Sequence, residues 1–319
     1  MPSIEGVIRT SPIQYCGFGE PTTLLQRALH RASSIANSAR IAVTVREENR
    51  GCWEPALWFV RPEGRFISDS RMMSSLTIAA ALLSIAAESA SNVVTILPAR
   101  CYVANEGILS CALAQLQAML PCLPEGVATL GMMEMDDGVD EDYLVPCSGN
   151  SGPGLSVLGM AHRPVGWVAQ HLRQHGAMVA SGILTGYAGV FAAHIYNRWP
   201  ILAKSLAGMK AAAAGGENRL RADMFHGVPK SALRSLKWCP PVLPQRALRV
   251  HCCGWRGLHT ARAVSKICAS RAITIDSVPD YQPKMDYHRK NWLLYDHDCG
   301  TRNRAGKISR RAVDHGWVD

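Results

Sequence analysis

The sequence predicts an α/β fold, with a mainly parallel sheet covered by helices on both faces. Three observations carry this expectation. Short β-branched runs alternate with segments of helical apolar spacing, the pattern that crossover connections between parallel strands produce. One of the helical segments, 75–90, is apolar round almost its whole circumference, as a helix held inside an interior is. And 319 residues, 48% hydrophobic and 18% charged, are enough to bury an extended core.

Taken in order, LLQRALHRASSIA (24–36) sets Leu24, Leu25, Ala28, Leu29 and Ala32 at helical spacing, and IAVTVRE (41–47) follows as a strand. The next step pairs the helix SLTIAAALLSIAAESA (75–90) with the strand VVTILP (93–98). ILSCALAQLQAML (108–120) is helical and GVATLGMM (126–133) is a strand. The acidic, then Gly/Ser/Pro-rich DDGVDEDYLVPCSGNSGPG (136–154) reads as a surface loop leading into the strand LSVLGMA (155–161). A helix at 165–177 and a strand at 179–187 come next, and antiparallel additions are expected in this half. Residues 1–270 read as the folded domain and 271–319 as a charged extension with little apolar periodicity.

A formal net charge of +9 favours an anionic partner such as a nucleotide or sugar phosphate; mixed-sign charge along the chain weighs against nucleic acid. The eleven cysteines show no repeated Cys-x-x-Cys pair and read as reduced thiols of a cytoplasmic protein. MPSIEGVIRTS lacks the apolar core of a signal peptide. The uncharged stretch 176–197 reads as a buried strand, turn and helix rather than a membrane span, because glycines and hydroxyl residues punctuate it.

No P-loop, HExxH, GxSxG or spaced GxGxxG occurs. His171 and His175 have a metal-compatible spacing without an acidic or thiol partner nearby, and read as solvated helix residues. Cys252 and Cys253, if on a strand, point to opposite faces, one buried and one not. The basic run 302–311 could touch phosphates; a solvated tail is the simpler reading. The residue that asks for explanation is Arg100, a cation just beyond a strand ending in Leu97-Pro98, where α/β proteins gather ligands.

Several segments, in order, resemble the bacterial mannose-1-phosphate guanylyltransferases, a branch of the sugar nucleotidyltransferases. SPIQYCGFGEPTTLLQRALHRA (11–32) is similar to the family's Pro-Lys-Gln-Phe segment and the helix after it, and VREENRGCWEPALWF (45–59) to its Val-Arg-Glu-Glu-His and Trp-Glu-Pro. VVTILPARCYVANE (93–106) resembles its Leu-Pro-x-Asp-His-Tyr-Val strand end. MAHRP (160–164) falls where Phe-Val-Glu-Lys-Pro stands, GAMVASGILTGY (176–187) where the Asn-Ser segment stands, and CCGWRGLHTARAV (252–264) where Cys-Gly-Trp-Ser-Asp-Leu-Gly-Thr stands.

The resemblance implies a Rossmann-like nucleotidyltransferase sandwich of three layers with a mainly parallel mixed sheet. It also implies GTP and mannose 1-phosphate as partners, GDP-mannose and pyrophosphate as products, and Mg²⁺ as cofactor. It places substrate contacts at Gln14, Arg71, Ser74, Arg100, Arg163 and Ser181. Departures fall on the chemistry. Ile13 stands for the phosphate-facing lysine, Arg100 for the first metal aspartate, Gly257 for the second, His162 and Arg163 for the Glu-Lys pair, and Ala180 for the asparagine. About ten residues precede the Pro-Lys-Gln-like segment, so the glycine-rich phosphate loop is expected to be missing. Mg²⁺ takes oxygen ligands, and neither a guanidinium nor a glycine side chain provides one.

Metal-dependent transfer is therefore expected to be impaired. Two alternatives stand beside it: a non-catalytic binder using the crevice of Arg71, Arg100, Arg163 and Ser181, and a basic interaction protein working through 302–311. Arg100 itself either substitutes for the lost metal charge or is an exposed remnant, and the second is favoured.

Overall fold

Thr23 starts the first long helix. In the computed structural model, which describes residues 12–69, 74–133, 141–147, 154–207, 216–221, 225, 245–258 and 261–271, its hydroxyl accepts from the Gln26 amide at 3.2 Å. The Gln26 side chain accepts from the Thr23 amide at 2.8 Å, a reciprocal cap. Helix α1 (Leu24–Ile35) presses Leu25 and Leu29 on strand β1 (Val43–Arg46), whose Val43 and Val45 join the same cluster. A short helix α2 (Arg50–Trp53) adds Trp53, fully buried, whose indole N–H donates to the Arg46 carbonyl at 2.8 Å.

Strand β2 (Arg65–Ser68) pairs in parallel with β1 and leads to helix α3 (Ser74–Glu88). Strands β3 (Val93–Ile96) and β4 (Cys101–Tyr102) precede α4 (Glu106–Ala118), which Asn105 caps by accepting from the Ile108 amide at 3.2 Å. Then come β5 (Val127–Met132), β6 (Tyr143–Pro146), β7 (Leu155–Ala161), α5 (Gly166–Gln174), β8 (Met178–Tyr187), α6 (Ala188–Arg198) and α7 (Pro200–Ala207). The remaining elements are β9 (Asn218–Leu220), β10 (Gln245–Val250), β11 (Arg256–Gly257) and α8 (Ala261–Ser270).

The six-stranded sheet has the order β3-β8-β5-β10-β7-β6. β10 runs parallel to β5, whereas β8 is antiparallel to β3, β5 and β6, and β7 is antiparallel to β10 and β6. By direction β3, β5, β10 and β6 therefore agree and β7 and β8 oppose them, so the sheet is mixed in pairing. A parallel three-stranded sheet β1-β2-β9 and the pair β11-β4 complete the architecture. One face of the large sheet packs α3, α6 and α7 through Leu82, Phe191, Ile195 and Leu202 against Val127 and Leu184. The other face packs α4 through Leu109, Leu113 and Leu116 against Leu130, Met132 and Ile183. The result is an α/β/α sandwich.

Two expectations need correction. The span 136–154 is not loop throughout, because Tyr143–Pro146 is a strand and Tyr143 is completely buried; four residues that follow an acidic run and close on proline give too short a signal to show period two. Cys252 and Cys253 lie not on a strand but in a turn where Cys252 has φ +59°, although Cys253 is buried and Cys252 exposed as expected. The extension 272–319, with the basic run 302–311, lies outside the described residues. Among the described residues no helix is long and apolar enough to cross a membrane.

Candidate functional site

The two positions where the resemblance implies metal carboxylates are neighbours in space. β4 pairs antiparallel with β11, setting Gly257 opposite Cys101. One residue further out, the Leu258 amide donates to the Arg100 carbonyl at 2.9 Å, and Arg100 Nη2 donates to the Leu258 carbonyl at 3.2 Å across 158 residues of sequence. Arg100 is half-buried and tied to the backbone, not an exposed remnant. Gly257 is buried and adds no donor atom.

Ile13 lies beside this junction, buried with Leu258, Val264 and Ile267, so the lysine-like position has been absorbed into an apolar cluster under α8. Gln14 is half-buried in the turn Ile13–Tyr15 and hydrogen-bonds the Tyr15 phenol. Burial pushes that phenol up to about 12, ahead of the smaller opposing effect of Gln14.

Ser181 belongs to the framework of the crevice. Between the pairs Thr129↔Leu184 and Gly131↔Ala180, residues 181–183 of β8 face the single residue Leu130 of β5. The buried Ser181 hydroxyl donates to the Leu130 carbonyl at 2.7 Å and accepts from the Ile183 amide at 3.0 Å, while Thr129 donates to the Ile183 carbonyl at 2.9 Å. Gly182 has φ +74°, and a Cβ there would sit 3.8 Å from the Pro98 ring, which places the bulge against the segment leading to Arg100. The sequence therefore does bring Ser181 and Arg100 to one edge, but the Ser181 hydroxyl is already doubly bonded.

Arg163 is exposed, with φ +39°, just past the end of β7. Asp142 braces its loop: one carboxylate oxygen accepts from the Arg163 amide at 3.1 Å and the other faces His162 Nδ1 at 3.3 Å. Burial pushes the Asp142 carboxyl up, but the hydrogen bond and charge of His162 and the Arg163 amide outweigh it and hold the group below its ordinary range. Ser74 begins α3 with its side chain outside the described residues, and Arg71 lies outside them altogether.

Sequence reasoning missed a charged cluster behind Arg100. Arg31, only 3% exposed, donates through Nε and Nη2 to the two Glu106 oxygens at 2.7 Å each, and its Nη1 lies 3.5 Å from Cys101 Sγ. Arg27 joins Glu106 at 3.1 Å and Glu20 at 3.2 Å, and also donates to the Val103 carbonyl. Arg271 bonds Glu20 and, at 2.7 Å, the Tyr102 hydroxyl. The cluster fixes β4, and through it Arg100 and Gly257. The available signal was Arg31 itself, a cation placed beside the apolar face of α1.

Glu106 is depressed as Asp142 is: burial raises it, but Arg31 and then Arg27 prevail. A carboxyl whose pKa falls on folding stabilises the fold above its unfolded pKa of about 4 and loses that contribution as pH drops through the folded value. Urea midpoints are therefore expected to fall steeply below about pH 4. Asp142→Asn is expected to make this fall shallower, and an unchanged acid profile for that variant would show that the brace is not ionised in the fold.

The donor set does not fit Mg²⁺. Arg100 brings a positive charge, Gly257 brings no oxygen, and Ile13 is apolar. Among the described residues no group of three or more His, Cys, Asp or Glu side chains is placed to hold a metal ion.

No protein-family model matches the sequence, and no curated protein sequence matches it significantly. Solved structures do match. One is described as mannose-1-phosphate geranyltransferase from Thermus thermophilus, at 19% identity and TM-score 0.56, covering 77% of this chain and 69% of that one. Another is described as mannose-6-phosphate isomerase from Helicobacter pylori, at 12% identity and TM-score 0.57, covering 77% of this chain and 94% of that one. The likeness extends over most of each chain and shows a shared Rossmann-like α/β sandwich fold. At these identities the likeness establishes architecture and leaves the chemistry to the residues.

Proposed function

We propose that the crevice outside the strand ends binds a nucleotide or sugar phosphate without metal, in a protein whose capacity to make GDP-mannose from GTP and mannose 1-phosphate is impaired or lost. The observation that carries this reading is the Arg100–Leu258 bridge, which puts a backbone-anchored guanidinium beside a bare glycine where a two-carboxylate metal site would need acids. A fixed guanidinium suits phosphate oxygens and repels a divalent cation. The exposed Arg163, on a loop braced by Asp142, supplies a second cation for the same anion. Electrostatic stabilisation of the transferring phosphoryl group is worth roughly 3 kcal/mol or more per lost donor, so losing the metal and the lysine together removes most of the rate enhancement.

Thermal shift with mannose 1-phosphate, GTP and GDP-mannose, each with and without Mg²⁺, tests the reading. Stabilisation independent of Mg²⁺ and weakened about tenfold in Arg100→Ala or Arg163→Ala is expected. Metal-dependent stabilisation, or pyrophosphate release at the rate of an ordinary sugar nucleotidyltransferase, overturns it.

A further inference from the structure

Two strand edges stand open in the middle of the fold. Among the described residues β1 pairs with β2 alone, and β3 with β8 alone. Both edges belong to one layer. On one face α3 packs across β1 and β2, and in the same cluster as Phe66 of β2 it meets Val94 and Ile96 of β3. On the other face Ala99, just past β3, packs on the cluster that α1 forms with Val43 and Val45 of β1, and Ile35 at the end of α1 joins the cluster of Leu97. The connection β2-α3-β3 is a helical crossover, which sets β3 parallel to β2 and so to β1. Two like-directed edges thus flank one gap.

Burial supports the opening. β5, hydrogen-bonded on both sides, is buried at every position. β3 has the same β-branched character, yet Val93 is 48% exposed and its three other residues are half-buried; Thr44 of β1 is exposed as well. Parallel strands covered by helices on both faces are ordinarily the most buried part of an α/β fold. Alternate residues of each edge also turn an amide and a carbonyl into the gap, and an extended segment laid between them can bond both.

We infer that the gap takes a strand parallel to β1 and β3, supplied by this chain's own residues 4–8, Ile4-Glu5-Gly6-Val7-Ile8. Residues 1–11 lie outside the described residues. Three observations choose this segment. First, Ile13 is buried against Leu258, whose amide bonds the Arg100 carbonyl, so the first described residues stand at the carboxyl end of β3. A strand leaving the gap at that end runs in the required direction, and the five steps from residue 8 to residue 13 reach about 17 Å. Second, α1 and β1 follow next in the sequence, so the segment completes a strand-helix-strand crossover. Right-handed crossovers that step in opposite directions along a sheet need their helices on opposite faces. The step from the gap to β1 and the step from β2 to β3 are opposite, and α1 and α3 do lie on opposite faces. Third, the segment matches β1 and β3 in length to within one residue, and Ile4, Val7 and Ile8 have strand-favouring side chains.

Residue-resolved hydrogen exchange on the full chain tests the inference. Residues 4–8 are expected to exchange at least about a hundredfold more slowly than in a free peptide of the same sequence, and the edge amides of β1 and β3 to be protected as those of β5 are. Val7→Pro removes a donor from the middle of the segment. It is expected to speed exchange about tenfold or more at residues 4–8 and at the edge amides of Val43–Arg46 and Val93–Ile96, while β7 and β10 keep their protection. If the proline variant does not fold, Val7→Gly, which weakens the segment without removing a donor, repeats the comparison. Exchange of residues 4–8 at the free-peptide rate overturns the assignment. So does protection of the two edges that neither variant disturbs, or that rises with protein concentration, which would mean that a second copy fills the gap. None of these readouts involves a ligand, so the anion site proposed above stands or falls separately.

Discussion

Replacing Glu106 by alanine is expected to cost about 3 kcal/mol of folding stability. The reason is Arg31. It is 3% exposed, and both of its short hydrogen bonds, 2.7 Å each, go to the Glu106 carboxylate. Without that carboxylate a guanidinium remains in the interior with only a thiol 3.5 Å away, and Arg27 loses one of its two acidic partners as well. Replacing both members of the pair, Arg31→Met with Glu106→Leu, removes the uncompensated charge and is expected to recover much of the loss. Urea unfolding of the single and double variants measures both effects. A single-variant loss below about 1 kcal/mol would mean that the guanidinium finds water or another acceptor, contrary to its burial.

Ser181→Ala carries the next largest effect, about 2–3 kcal/mol. The hydroxyl satisfies two buried backbone groups at once, the Leu130 carbonyl and the Ile183 amide, at a place where three residues of β8 face one of β5 and ordinary pairing is interrupted. Alanine fits the space but leaves both groups without the hydroxyl. Amide hydrogen exchange localises the damage: the Ile183 amide should lose protection ahead of its neighbours in β8. If stability and exchange are unchanged, the bulge is held by Thr129 and Gly182 alone, and Ser181 becomes available as the ligand contact that sequence resemblance implies.

Regular apolar spacing made the long helices and the central strands legible. Leu24, Leu25, Ala28 and Leu29 do face the core, and Val127–Met132 is buried along its whole length. What escaped was short or charged. Arg65–Ser68 and Asn218–Leu220 are strands of four and three residues carrying arginine, held by parallel pairing and by ion pairs such as Arg65–Glu217 at 3.5 Å rather than by an apolar alternation. Tyr143–Pro146 hid between an acidic run and a Gly/Ser-rich one.

The candidate crevice divides in the same way. Resemblance located positions 100 and 257, which local periodicity cannot relate, and the fold sets them side by side. The role of Asp142 in holding Arg163, the occupied hydroxyl of Ser181 and the Arg31–Glu106 pair depend on contacts between residues 21 to 75 apart, which one sequence does not display.

One contact also bears on how the polypeptide reaches its final state. Arg271, just past α8, grips Glu20 and Tyr102 and thereby clasps residues 251 positions apart. During synthesis the amino-terminal portion waits for this latch until Arg271 has left the ribosome, and loops that long close slowly. Nascent chains halted short of Arg271 should consequently be open at the Glu20 corner and fall prey to proteases that spare the finished protein.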